Sequence, residues 1–433
     1  VGAVREQVER QLRRVGERDP QLHAMVVTLE RQALRDADRL DAGSGPREAL
    51  HGLTVTLKDN IDVAGVPTTA GSGHHARGVA PADAAVTRLL RQAGAVVMGK
   101  NNMAEFAMGV TGRNRTFGDC RNAWDRDRIA GGSSSGSAVA VAAGMSTAAL
   151  GTDTGGSGRI PAAVNGIVGM RPTVGRVSNR GVLPVSPSFD TVTPMARDVH
   201  TVAAVLAALE HWAPDDPTSG AGGRIAVGSC LEREPERLRV GLPREFFDEG
   251  VDPGVQSVIR SAVDTLRGLG AQVRDVDVPD AGRAQERMLD IMYPEAAAVH
   301  ADRLRYEPDT IDPDVLRRLR LGQGVTAERT RQARAWQLGF QRRVDAVFDD
   351  VDVVVTPTIP LDVPLHDAVD LAASTREIAR FTYAWSMYGG PSISIPCGFH
   401  PRSGMPVGLQ LSGARWDDHV VLMAAAAYER TMR

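Results

Sequence analysis

Two glycine–serine segments constrain this chain more than anything else in it. They are Gly131-Gly132-Ser133-Ser134-Ser135-Gly136-Ser137 and Gly151-Thr152-Asp153-Thr154-Gly155-Gly156-Ser157. Flexible linkers share that composition, but linkers do not usually flank a small-residue helix and a buried strand. Here Ser137 to Gly144 reads as such a helix, and Thr147 to Leu150 reads as a strand that runs straight into the second segment. Glycine pairs in that setting let the backbone turn its N–H groups toward a ligand. A serine ending such a turn, with those amides beside it, has the layout of a nucleophile with an oxyanion hole.

A serine hydroxyl is a poor nucleophile and needs a base. Neither segment contains histidine. Of the 50 basic residues, all but Lys58 and Lys100 are arginine. Arginine cannot give up its proton, whereas a buried lysine can. A lysine kept in so arginine-rich a chain marks either a site where arginine fails or a packed spot where lysine was retained by chance.

Three other motifs fail on inspection. Gly94-x4-Gly99-Lys100 copies most of a P-loop, but Asn101 stands where Ser or Thr must hold magnesium, which makes Lys100 structural. Gly132-Ser133-Ser134-Ser135-Gly136 fits the GxSxG elbow, yet that elbow needs a buried strand before it. Trp124 to Ala130 is polar, with only Ile129 clearly apolar. His74 and His75 could ligate a metal, but no HExxH or carboxylate partner accompanies them. They read as solvated loop residues.

Strands and helices alternate, the mark of a layered α/β sheet. Residues 1 to 40 read as helix, Leu53 to Leu57 as a strand delivering Lys58, Ala82 to Ala93 as helix and Ala95 to Met98 as strand. Arg159 to Val164 opens another helix. Beyond the Pro- and Gly-rich stretch Pro214 to Gly223 come a strand (Arg239–Leu242), a helix (Val255–Leu269) and a strand (Gln272–Val278). Ile311 to Phe348 reads as one Arg-rich helical run ending in the strand Val351–Val355. Ser392–Ile395 and Val407–Leu411 are late strands, and Val420–Tyr428 is a closing helix. Late strands that resemble core strands favour one sheet completed by both ends of the chain.

Composition narrows the function classes. The chain has 433 residues, 42% of them hydrophobic and 24% charged, with net charge −3. That is an ordinary globular balance with no electrostatic footprint for nucleic acid or an anionic membrane. No apolar run reaches the ~18 residues that span a bilayer. The polar stretch Val1 to Arg18 has no secretory character, and its lack of an initiator Met leaves room for an upstream segment. Cys120, Cys230 and Cys397 are far apart with no CxxC, so the expected compartment is a reducing cytoplasm.

The two serine segments, with the Lys58 motif, resemble the amidase signature family. The resemblance runs from about Gly52 to Pro194 through LKDNIDVAGVPTTAGS, GKNNMAEFAMG, GGSSSGSAVAVAAG, GTDTGGSGRIPA and GMRPTVGRVS. Weaker echoes lie in VVVTPTIP (353–360), GGPSISIPCG (389–398) and MPVGLQL (405–411), while 200–340 carries little family pattern. The resemblance implies an α/β/α layered fold on a central mixed sheet. It also implies one amidase domain over 1–433: a catalytic core at about 50–200, a divergent substrate-shaping region at 200–340, and a core completed by 350–433. The pocket is expected to form from that divergent region and from loops near Trp385 to Tyr388.

The resemblance further implies a Ser–cis-Ser–Lys triad of Lys58, Ser133 and Ser157, with a cis peptide at Gly132–Ser133 and oxyanion-hole amides from Thr154, Gly155, Gly156 and Ser157. A neutral Lys58 then draws the Ser157 proton through Ser133, whose hydroxyl donates and accepts at once. Asp153 and Arg159 flank the nucleophile as a supporting ion pair. Gly158 departs from the β-branched or aliphatic residue usual in the family, so it either loosens the Ser157 turn or widens the acyl pocket.

The implied activity is hydrolysis of a carboxamide C–N bond through an acyl-enzyme, with no metal or organic cofactor. The expected partner is a small-molecule amide, with no nucleic acid or membrane and a homodimer as the assembly to consider. The alternative is the glutaminase A subunit of a tRNA-dependent amidotransferase. Against it, Tyr293 to Tyr306 lacks the NLARYDGxRYG-type stretch of such subunits, and Phe381–Tyr388 differs too.

Overall fold

A computed structural model describes residues 2–43, 47–73, 78–210, 216–220, 231–232, 237–368 and 370–432. His74, His75, Cys230 and half of the Pro214–Gly223 stretch lie outside the described residues. Among the described residues the architecture is a mixed sheet of eleven strands. In chain order they are β1 (Met25–Thr28), β2 (Thr54–Lys58), β3 (Val96–Asn101), β4 (Ala148–Asp153), β5 (Val168–Arg171) and β6 (Thr191–Ala196), then β7 (Arg239–Pro243), β8 (Gln272–Val276), β9 (Val353–Pro357), β10 (Ser392–Phe399) and β11 (Pro406–Gly413). Their order across the sheet is β1-β3-β2-β4-β6-β5-β10-β11-β9-β7-β8. The late strands β9, β10 and β11 therefore join the same sheet as β2 and β4.

Strand alternation sends side chains to two faces, and each face builds a core. In β9, Val353 and Val355 enter one apolar cluster with the helices Val199–Leu209 and Asp418–Arg430. Val354 enters the other, with Ala284–Val299, Ala327–Asp350 and Arg380–Tyr388. The result is helix, sheet, helix. Among the described residues no helix is long and apolar enough to cross a membrane.

The site is positioned by β2 and β4. All five residues of β2 are buried, as expected for a strand covered on both faces. It pairs in parallel with β3 and β4, so Lys58 and Asp153, the last residues of β2 and β4, emerge at one edge of the sheet. Crevices at the carboxyl ends of parallel strands are where open α/β sheets bind ligands.

Two expectations are corrected. The helical reading of 1 to 40 misses β1: the helix Ala3–Leu22 ends and Met25–Thr28, rich in β-branched residues, pairs antiparallel with β3 before the helix Glu30–Ala42. The single run Ile311–Phe348 is two helices, Pro313–Gln323 and Ala327–Asp350. Gly324 ends the first, and the Thr326 hydroxyl caps the second by accepting the Arg329 amide at 3.2 Å.

Candidate active site

Lys58 is fully buried at the end of β2. Its Nζ lies 2.7 Å from Ser133 Oγ and 2.8 Å from Thr152 Oγ1. Burial strips the ammonium of water and brings its pKa down to about 7, although Asp190 and Asp153 pull the other way. At that pKa the amine is divided between its neutral and charged forms at neutral pH. Lys100 behaves differently: its Nζ pairs with Asp59 Oδ1 at 2.8 Å and donates to Pro67 O and Thr68 Oγ1, each at 2.9 Å. That is a structural role, as its context in the sequence indicates.

Ser133 is fully buried and follows a cis peptide from Gly132. The next residue ties the two serine segments together, because the Ser134 amide donates to the Ser157 carbonyl at 3.2 Å. Ser134 itself is occupied by backbone: its hydroxyl donates to Thr152 O at 3.1 Å and accepts the Thr152 amide at 3.2 Å. No strand leads directly into it, and the helix Ser135–Ala142 starts right after it. The elbow reading therefore fails in structure as well as in sequence. Ser157 is half-buried and reaches a cleft that it shares with Thr154 and Gly155.

The turn between Asp153 and Ser157 is held from below. Arg159 meets the Asp153 carboxylate twice, Nε to Oδ2 and Nη2 to Oδ1, each at 3.0 Å. Arg171 Nη1 adds a contact to Oδ1 at 3.2 Å. Burial opposes ionisation of Asp153, but the two guanidiniums outweigh it and hold the carboxyl well below the usual range. Gly156 passes through at φ +129°, a conformation that only glycine adopts without strain. Its amide donates to Asp153 Oδ1 at 2.8 Å. Of the four expected oxyanion amides, the Gly156 N–H is thus already committed, while those of Thr154, Gly155 and Ser157 have no hydrogen-bond partner among the described residues.

Several supporting residues carry no motif that sequence reading picks out. The Thr154 hydroxyl donates to Asp190 Oδ1 at 2.6 Å, and burial raises the Asp190 carboxyl to about 6. The Thr382 hydroxyl donates to Gly155 O at 2.6 Å from a helix far along the chain. The cleft is walled by Met108, Met292, Tyr293, Arg318, Thr375 and Tyr383 among others. The divergent region thus does shape it. The loops expected near Trp385 to Tyr388 are instead the helix Arg380–Tyr388, of which Tyr383 lines the cleft while Trp385 and Tyr388 are buried in the core.

Gly158 neither loosens the turn nor widens the cleft. Its amide is held by Asp153 Oδ2 at 3.1 Å, and a Cβ there would overlap the Thr193 side chain on β6. The missing side chain is replaced from the neighbouring strand. Gly158→Ala is expected to cost about 1–3 kcal/mol through overpacking, and adding Thr193→Ala, which removes the closest atom but keeps Cβ at 2.8 Å, should recover part of it. Urea unfolding of the single and double variants checks this; two additive losses would show that the positions are not coupled.

The whole chain has known counterparts. The Amidase family model matches residues 6–422, well beyond the segments at 52–194 where the resemblance is most legible. The A subunit of the glutamyl-tRNA(Gln) amidotransferase from Anaeromyxobacter sp. (strain K) is 37% identical over 457 aligned residues, covering 99% of this chain and 92% of that protein. A solved chain described with a vestigial protein complex and the origins of an s-triazine catabolic enzyme superposes with TM-score 0.93 at 31% identity, covering 99% of this chain and 95% of the other. The native peptide amidase of Stenotrophomonas maltophilia gives TM-score 0.88 at 30% identity, covering 100% and 94%. With a family match over nearly its full length and a buried lysine set between two serine loops, the chain belongs to the amidase signature family.

Proposed function

We propose that the protein hydrolyses a carboxamide through an acyl-enzyme on Ser157, with Ser133 as the relay and Lys58 as the base. The observation that carries this reading is the buried Lys58 Nζ, 2.7 Å from Ser133 Oγ and with its pKa brought down to about 7. Neutral Lys58 accepts the Ser133 proton as Ser133 accepts that of Ser157, and the Ser157 oxygen attacks the amide carbon. The Thr154, Gly155 and Ser157 amides face the developing oxyanion. The proton then returns to the leaving nitrogen, ammonia or an amine departs, and water repeats the sequence to release the carboxylate. The continuous sheet supports reading 1–433 as one catalytic domain.

A fluorophosphonate of small alkyl size tests the assignment. Mass spectrometry is expected to find the adduct on Ser157 and none in Ser157→Ala. An adduct on Ser134 would overturn it.

A second reading has support in the curated relatives named as amidotransferase A subunits. The same three residues would then release ammonia from glutamine for a protein partner. Glutaminase activity that appears only with a candidate partner present would favour it; hydrolysis of simple amides by the chain alone favours the first.

A further inference from the structure

We propose that the Tyr383 hydroxyl, together with that of Tyr293, reads the far end of the substrate's acyl group and selects amides whose short acyl chain ends in an uncharged polar group. This deepens the acyl-enzyme reading and rests on it. The geometry begins at Gly155. A Cβ built there would stand 2.8 Å from Tyr383 Cζ and 3.0 and 3.2 Å from the two Cε atoms. The hydroxyl-bearing end of the ring therefore overhangs the oxyanion turn, next to the nucleophile's loop. Only a residue without a side chain at 155 lets it come so close.

Tyr383 is 6% exposed, lines the Ser157 cleft, and its hydroxyl has no hydrogen-bond partner among the described residues. Its oxygen is not sealed from the cleft, so the hydroxyl is open to a ligand that enters there. Burial pushes its pKa up, which keeps it an O–H at any working pH. Tyr293, half-buried in the same cleft, likewise has no partner among the described residues. A phenol donates and accepts, so the pair can meet both the C=O and the NH₂ of a neutral amide.

The remaining walls define size and charge. The part of the cleft beside Ser157 holds about 40 Å³, where a single water needs roughly 10–15 Å³, so that part admits only a few heavy atoms; a larger cavity of about 470 Å³ shares its Met108, Gly109 and Arg318 walls. Arg318 also lines it, but its guanidinium pairs with Asp314 Oδ2 at 2.7 Å and donates to Met108 O at 3.0 Å and Thr375 Oγ1 at 3.3 Å. Both of its terminal nitrogens are thus occupied by protein acceptors, although Asp314 is shared with Arg317 at 2.6 Å, and this favours an acyl end held by the tyrosine hydroxyls over a carboxylate gripped by Arg318. Met108, Val110, Val185 and Met292 supply the apolar sides.

Sites built to hydrogen-bond a substrate reject the analogue that lacks the polar group, because their own groups are left unpaired. The test compares kcat/KM for malonamide and its apolar isostere 3-methylbutanamide in the wild type, Tyr383→Phe and the Tyr383→Phe/Tyr293→Phe double variant. Phenylalanine keeps the ring that packs on Gly155, and circular dichroism verifies the fold. The expected result is a wild-type preference for malonamide of at least tenfold, reduced about tenfold in Tyr383→Phe and abolished in the double variant. A wild type that is labelled at Ser157 but shows a ratio near one, a ratio unmoved by Tyr383→Phe, or a preference for malonamate over malonamide would overturn the tyrosine assignment alone. Absence of both labelling and hydrolysis would overturn the nucleophile, and this proposal with it.

Discussion

Lys58→Arg is expected to lose as much acylation rate as Lys58→Ala, about 10²–10⁴-fold. A base must be able to shed its proton, and guanidinium does not do so at any working pH. If Lys58 supplied only positive charge, arginine would preserve most of the activity. Lys58→Met, which keeps the length and apolar stem of the side chain, should match the alanine variant and guards against a loss caused by packing alone. The pH dependence follows from the pKa of about 7. Protonated lysine cannot act, so single-turnover acylation should be slow at pH 5, rise through pH 7 as the neutral fraction grows, and level off above pH 8. In the variants that rise should vanish. An arginine variant within a few-fold of wild type, or a flat wild-type profile, would remove Lys58 as the proton acceptor.

What could be read from the sequence was local. Lys58 stood out because arginine fills nearly every other basic position, and the two serine loops carried their geometry in their glycines. The strands β2, β4 and β9 were legible because each is a short apolar or β-branched run. Strand β1 was not, since four residues between two amphipathic helices gain their structure from pairing with β3 rather than from their own periodicity. Thr382 and Tyr383 were invisible for the same reason on a longer scale. They lie more than two hundred residues from Gly155 and reach it only because β10, which follows their helix, pairs with β5. The commitment of the Gly156 amide to Asp153 was equally hidden, because a motif names residues without saying where their N–H groups point.

The second large effect falls on stability. Asp153→Ala is expected to cost at least 3–5 kcal/mol, the penalty for leaving a buried charge without its partner. Arg159 and Arg171 are both fully buried and both lean on this one carboxylate. Arg159 retains Gln410 Oε1 at 2.9 Å and Ser386 Oγ at 2.7 Å, and Arg171 retains Phe189 O at 2.7 Å, but these partners are neutral. Asp153→Asn keeps an acceptor for the Gly156 amide and removes the charge, so it should fall between alanine and wild type. The pH sign provides an independent check. Asp153 has its carboxyl held below the ordinary value of 3.8 in the folded state. Its stabilisation is therefore fully present above that value and is lost as the pH falls toward the lower folded pKa. Urea midpoints taken from pH 7 down to pH 3 should drop less steeply for Asp153→Asn than for wild type. The oxyanion turn hangs on the same carboxylate through the Gly156 and Gly158 amides, so the fluorophosphonate should also label Ser157 more slowly in both variants. Wild-type stability in Asp153→Ala would mean that the turn is held by its backbone contacts, and the ion cluster beneath it would have no part in shaping the nucleophile.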